Sequence, residues 1–146
     1  MALFGSQENN EKEAFPRGEK FASPHEEIAY LRGQIEKKEK ESLEQGQVLE
    51  RAKITQEKVS DYKAEPAEKI LAPDYQINAR EIEEKLFGIG KEHNHEGTID
   101  ELVRIMMERG IKNTLALLEK LNNPHIEDDF HRFLVQFLAG GSFASS

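Results

Sequence analysis

The residue types best suited to chemistry in this chain are His125, Glu127, Asp128, Asp129 and His131. On a helix Glu127 and His131 lie four apart and Asp128 and His131 three apart, so each pair shares a face and could chelate a transition metal. A di-iron site would need a Glu-x-x-His motif and further carboxylates from other helices, and Glu127-Asp128-Asp129-Phe130 does not offer that spacing. The acids have a simpler explanation, because carboxylates near a helix N-terminus are favoured by its dipole. The reading is therefore no metal and no cofactor. The alternative is a small metal-binding protein or metal-dependent hydrolase using His125, His131 and the nearby acids Glu127 and Asp128. A second set, His93, His95 and Glu96, falls in a polar stretch expected to be a loop, which can take up metals adventitiously.

Other chemistries find less support. The absence of cysteine removes thiolate ligands, disulfides and a cysteine nucleophile together, and fits a reducing cytosol. Gly88-Ile89-Gly90 has neither the following glycine nor the preceding strand of a dinucleotide fingerprint. Met106 and Met107 could form an adaptable binding surface, but beside Leu102 and Val103 they read as core. The net charge of −8 is spread so that acids outnumber bases in each of residues 1–23, 24–71 and 72–146, which leaves no concentrated basic surface for nucleic acid. No window approaches the length of a membrane span. These features point to a non-enzymatic cytoplasmic protein without direct membrane insertion.

The elements that would carry these residues are helical throughout. Thr98 with Glu101 forms a capping-box pattern, followed by an apolar stripe of Ile99, Leu102, Val103, Met106 and Met107 and a stop at Gly110, which predicts a helix over residues 99–109. Asn113 is placed to cap a second helix with Leu115, Leu117, Leu118 and Leu121 buried, leaving through Asn122-Asn123. Asn123 caps a third with Pro124 at its first position, where the missing amide hydrogen costs nothing. Its apolar face is Phe130, Phe133, Leu134, Phe137 and Leu138, with Phe133 at the centre. Rotated outward, Phe130, Phe133 and Phe137 are the residues with which the bundle would dock on a protein partner.

Upstream, Asn78 caps a short helix through Ile82 and Leu86 that is expected to end at Gly88-Ile89-Gly90. Ala64-Glu65-Pro66 and Ala72-Pro73-Asp74 bracket a joint, since proline blocks a helix interior and biases its predecessor toward extended backbone. Ser23-Pro24-His25-Glu26 starts a charged helix that nothing forbids before Pro66. Its heptad seam of Ile28, Leu31 and Ile35 continues in register at Leu49, Ala52 and Val59, but is polar at Lys38, Ser42 and Gln45 and weakened at Gly46. That interrupted seam fits a marginal coiled coil giving a weak homo-oligomer, a hairpin folding near Gly46, or a single helix held by Glu/Lys pairs. The expected organisation is an all-α chain: a disordered tail over 1–23, a long charged helix over 24–65, a linker over 66–77, a small helical bundle over 78–138 and a second tail over 139–146. Phe4, Phe15 and Phe21 are candidate docking anchors within the first tail.

The stretch Glu108-Arg109-Gly110-Ile111-Lys112-Asn113-Thr114, followed by Glu119-Lys120-Leu121-Asn122-Asn123-Pro124-His125-Ile126-Glu127-Asp128-Asp129-Phe130-His131-Arg132-Phe133-Leu134-Val135-Gln136, resembles the N-terminal region of uncharacterised large membrane-associated proteins of candidate-phylum bacteria related to conjugation or type IV secretion machinery. The likeness covers these 25 of the 146 residues. It implies an accessory or cytoplasmic part of such a system and brings no catalytic residues. The sequence thus predicts a helical interaction or assembly module with a protein partner.

Overall fold

The computed structural model describes residues 20–91 and 94–140. Phe4, Phe15, His93 and the last six residues lie outside that set. The described chain is all-α, with helices α1 Pro24–Glu44, α2 Arg51–Ala64, α3 Ala67–Ile70, α4 Ala79–Gly90, α5 His95–Arg109, α6 Ile111–Leu121 and α7 Pro124–Gly140. No strand occurs among the described residues; an isolated bridge joins Phe21 to Leu71.

Local grammar accounts for most helix ends. Ser23 caps α1 by accepting from the Glu26 amide, and Glu26 reaches back to the Ala22 amide at 2.7 Å. Asn78 caps α4 by accepting from the Glu81 amide at 2.8 Å. Asn123 caps α7, accepting from the amides of His125 and Ile126, and Asn122 leaves α6 in the left-handed region at φ 55°. Two starts differ from the sequence reading. The helix expected from residue 99 begins a turn earlier at His95, because Asn94 caps it through the Gly97 amide while the Thr98 hydroxyl donates back to the Asn94 carbonyl. Asn113 is not a cap but an interior residue of α6, for a reason given below.

The charged segment 24–65 is not one long helix. It turns over between Gln45 and Glu50, with Gly46 at φ 79°, and α2 folds back on α1. Leu31 and Ile35 of the seam, with Ile54, Val59 and Tyr62 of α2, are buried in the same apolar cluster as Leu102, Met106, Leu117, Phe130 and Leu134. The hairpin therefore completes the core of the C-terminal helices, and Leu31 and Ile35 are enclosed within the chain. Beyond Gly46 the seam holds at Val59 but not before it: Leu49 and Ala52 are exposed, and Ile54 and Thr55 are inside.

The boundaries at 23 and 66–77 shift for the same reason. Phe21, expected in a tail, is buried against Tyr30 and Tyr62, and its backbone exchanges hydrogen bonds with Ile70 and Ala72. The stretch expected to be a linker buries Ile70, Leu71 and Tyr75. α4 ends at Gly90, within the expected Gly88-Ile89-Gly90 stop, with Ile89 buried. α7 extends to Gly140, past the expected bundle end at 138.

In α7 the centre of the apolar stripe is Phe130 and Leu134, both 0 % exposed, not Phe133. Phe133 lies at the rim, half-buried, stacked on Phe137 with ring centroids 5.8 Å apart. Phe130→Ala should therefore lower unfolding free energy by about 3–5 kcal/mol, the usual range for an enclosed aromatic that leaves a cavity. Phe133→Ala should cost roughly 1–2 kcal/mol. Denaturant unfolding of the two variants checks the order; a larger loss at Phe133 would mean that α7 is rotated from this placement.

Candidate functional site

The residues proposed for metal binding do not converge. His125 and Asp128 are exposed, Glu127 Oε2 takes an ion pair from Lys63 Nζ of α2 at 3.1 Å, and Asp129 is held between His95 of α5 and Arg132. Asp129 consequently stays below the usual carboxylate range, chiefly through its hydrogen bond with His95. Among the described residues no three His, Cys, Asp or Glu side chains come together in a way that would hold a metal ion. Helical spacing placed Glu127 and His131 on one face, but the facing helix supplies a lysine where a metal site would need another ligand. Phe130 and Phe137, candidates for partner contact, are enclosed.

The strongest polar constellation lies elsewhere, at the start of α6. Gly110 precedes it at φ 95° and has no side chain with which to cap the helix. The cap comes from α1: Glu27 Oε1 accepts from the Ile111 amide at 2.9 Å and Oε2 from the Lys112 amide at 3.0 Å. The Tyr75 hydroxyl donates to Oε1 at 2.6 Å and the Tyr62 hydroxyl to Oε2 at 2.5 Å. Glu27 is 0 % exposed, so a carboxylate with four donors sits inside the apolar core against the positive end of a helix. Burial pushes its carboxyl above the usual range, and the four donated hydrogen bonds draw it back. Burial, followed by the charge of Glu27, drives both tyrosine hydroxyls far upward, which keeps them protonated as donors. Only glycine fits at 110, since a Cβ there would overlap the Tyr75 hydroxyl and Glu27 Oε1.

Asn113 holds the same corner together. Its side chain accepts from the Ile77 amide at 3.0 Å and donates to the carbonyls of Tyr75 and Arg109 at 2.8 and 2.7 Å. It is thus occupied in fixing the loop that delivers Tyr75. Glu27 had a legible signal: it lies four and eight residues before Leu31 and Ile35, on the buried stripe of α1. Its place in the first turn of α1 is also that of an ordinary dipole-facing acid. These contacts are inside the molecule and hold structure; they do not face a substrate.

A groove of about 560 Å³ opens between α2 and α7. His131 lines it half-buried, and its Nε2 is covered without a hydrogen-bond partner among the described residues. Burial, and then the charge of Lys63, hold this imidazole below its ordinary value of 6.5, with Glu127 and Asp128 opposing.

Compared with known proteins, the chain matches no family model, no curated protein and no solved structure. No helix among the described residues is long and apolar enough to cross a membrane.

Two predictions follow from these environments. In Glu27→Gln the amide nitrogen turns two donors against the donors already aimed there, so stability should fall by about 2–4 kcal/mol although shape is kept. An unchanged denaturation midpoint would show that the carboxylate is not needed. For His131 the folded pKa is depressed, so as pH falls through 6.5 the unfolded chain takes up the proton first and stability is lost. His131→Asn should remove that part of the slope, read by urea unfolding between about pH 5 and 7.5; identical slopes in the two proteins would contradict it.

Proposed function

We propose that the chain is a non-enzymatic interaction or assembly module that engages a protein partner through the turn of its α1–α2 hairpin. The observation that carries this reading is a run of apolar side chains held out at that turn: Leu43 is 61 % exposed, Val48 86 % and Leu49 40 %. Scattered single exposed apolar residues need no explanation, but three within seven positions around one turn are a candidate contact surface. The hairpin beneath is held rigidly by its buried seam, so the tip would be presented without a large ordering cost on binding. The resemblance of residues 108–136 to secretion- and conjugation-related proteins supports placing the partner in a membrane-bound assembly, with this chain on its cytoplasmic side.

The test is site-specific photocrosslinking in the native host. A photoreactive residue at Val48 should yield a discrete adduct, whereas one at the exposed Glu83 of α4 should not. The triple variant L43S/V48S/L49S should keep the parent's melting temperature within a few degrees and fail to compete for the adduct. Equal labelling at 48 and 83 would count against the turn as the contact surface.

A further inference from the structure

We propose that Lys20 and Phe21 form a latch over the Glu27 corner that opens as a unit of its own, so that releasing Phe21 loosens the start of α6. Phe21 is a candidate docking anchor by sequence, yet in the fold it is enclosed, with 3 % of its surface exposed. The one side chain cannot occupy its cleft and serve as an external anchor at the same time. Whatever engages Phe21 is therefore felt inside the molecule.

The fastenings of the latch are short-range and shallow. The Phe21 amide donates to the Ile70 carbonyl and the Phe21 carbonyl accepts from the Ala72 amide, each at 2.8 Å, which makes a one-residue parallel bridge to Leu71. The Lys20 ammonium donates to the Glu68 carbonyl at 2.7 Å. The Phe21 ring lies against Tyr30 and Tyr62, with centroids 5.3 and 6.2 Å away. Immediately beyond, the pivot is fixed. The Ala22 amide donates to the Glu26 carboxylate and Ser23 caps α1, so the latch can open while the first helix stays intact. An extended segment fastened in this way, outside any helix ladder, releases at lower cost than a helix of the core.

Two routes lead from the latch to the buried carboxylate. Phe21 packs on Tyr62, whose hydroxyl donates to Glu27 Oε2. Ala72, whose amide meets Phe21, accepts with its carbonyl from the Tyr75 amide at 2.9 Å, and the Tyr75 hydroxyl donates to Glu27 Oε1. Glu27 in turn caps α6 at the Ile111 and Lys112 amides. Withdrawing the ring uncovers Tyr62 and leaves the Ala72 amide without its acceptor, and both changes act on the donors that hold the carboxylate in place. Asn113 keeps the Tyr75 loop attached from the other side, and Ile70 and Leu71 remain buried anchors of their own, so the opening is local.

The test is amide hydrogen exchange of the full chain, followed by NMR across low urea concentrations, where the steepness of the urea dependence measures the surface that each opening exposes. The amides of Ala72, Ile111 and Lys112 should share one opening with a shallow urea dependence. After correction for intrinsic rates they should exchange at least about tenfold faster than that of Leu134 inside α7, which waits for global unfolding. In Phe21→Ala the latch stands open, so these three amides should lose most of their remaining protection while Leu134 stays protected. The measurement on the unsubstituted chain stands by itself should that variant fail to fold. If Ala72, Ile111 and Lys112 follow the same steep urea dependence as Leu134, residues 20 and 21 are a fixed part of the core and the proposal is overturned. It is equally overturned if Ala72 opens alone, since the latch then does not reach Glu27.

Discussion

A carboxylate buried in an apolar core is the constraint on which this fold depends. Glu27 comes from the first helix, and its four donors come from α2, from the loop before α4 and from the first turn of α6. Taking such a group out of water is strongly unfavourable unless every acceptor site is met. Here all four are met, two of them by amides at the positive end of a helix that has no cap of its own. Segments far apart in sequence must therefore be in register together, or a charge is left inside the core without partners. Gly110 is the geometric condition, since any side chain there would occupy the space of the carboxylate and the Tyr75 hydroxyl.

The opposite pole of the hairpin uses the complementary charge. Arg32 of α1 donates to the Phe137 carbonyl at 2.9 Å with its guanidinium over the Phe137 ring, and Arg51 of α2 donates to the Ala139 carbonyl at 2.6 Å. These are carbonyls of the last turn of α7, which lack partners within their own helix. The hairpin thus brings an acid to a helix start and two arginines to a helix end, as the helix dipole favours in both cases. The outer face of α2 is positioned by the same contacts. Lys63 and Arg51 hold it antiparallel to α7, and the groove bearing His131 lies between them.

This arrangement separates the structural from the available. The most densely bonded polar groups, Glu27, Tyr62, Tyr75 and Asn113, are enclosed and serve to hold helices together. The exposed features are the apolar turn at Leu43, Val48 and Leu49 and the groove between α2 and α7. The Glu27 and arginine contacts fix the hairpin from inside.

Helix content and most helix ends were determined by sequence, because caps and stops act within a few residues. Ser23-Pro24, Asn78, Gly110, Asn122 and Asn123-Pro124 act where their local chemistry says they should. Where two local solutions compete, neighbours decided: Asn94 took the start that Thr98 also signalled, and Asn113 gave up a capping role for the backbone of Tyr75 and Ile77. The same holds for helix rotation, since a stripe holding Phe130, Phe133, Leu134 and Phe137 is wider than the buried face, and only packing against other helices selected Phe130 and Leu134 for the centre. The open alternatives for residues 24–65 were likewise closed from outside, because the seam of Ile28, Leu31 and Ile35 needs an apolar surface and the C-terminal helices provide one within the chain. Glu27 and His131 mark the limit of reading a sequence: each is an ordinary helix residue by composition, and what sets its chemistry is the set of groups that distant segments bring to it.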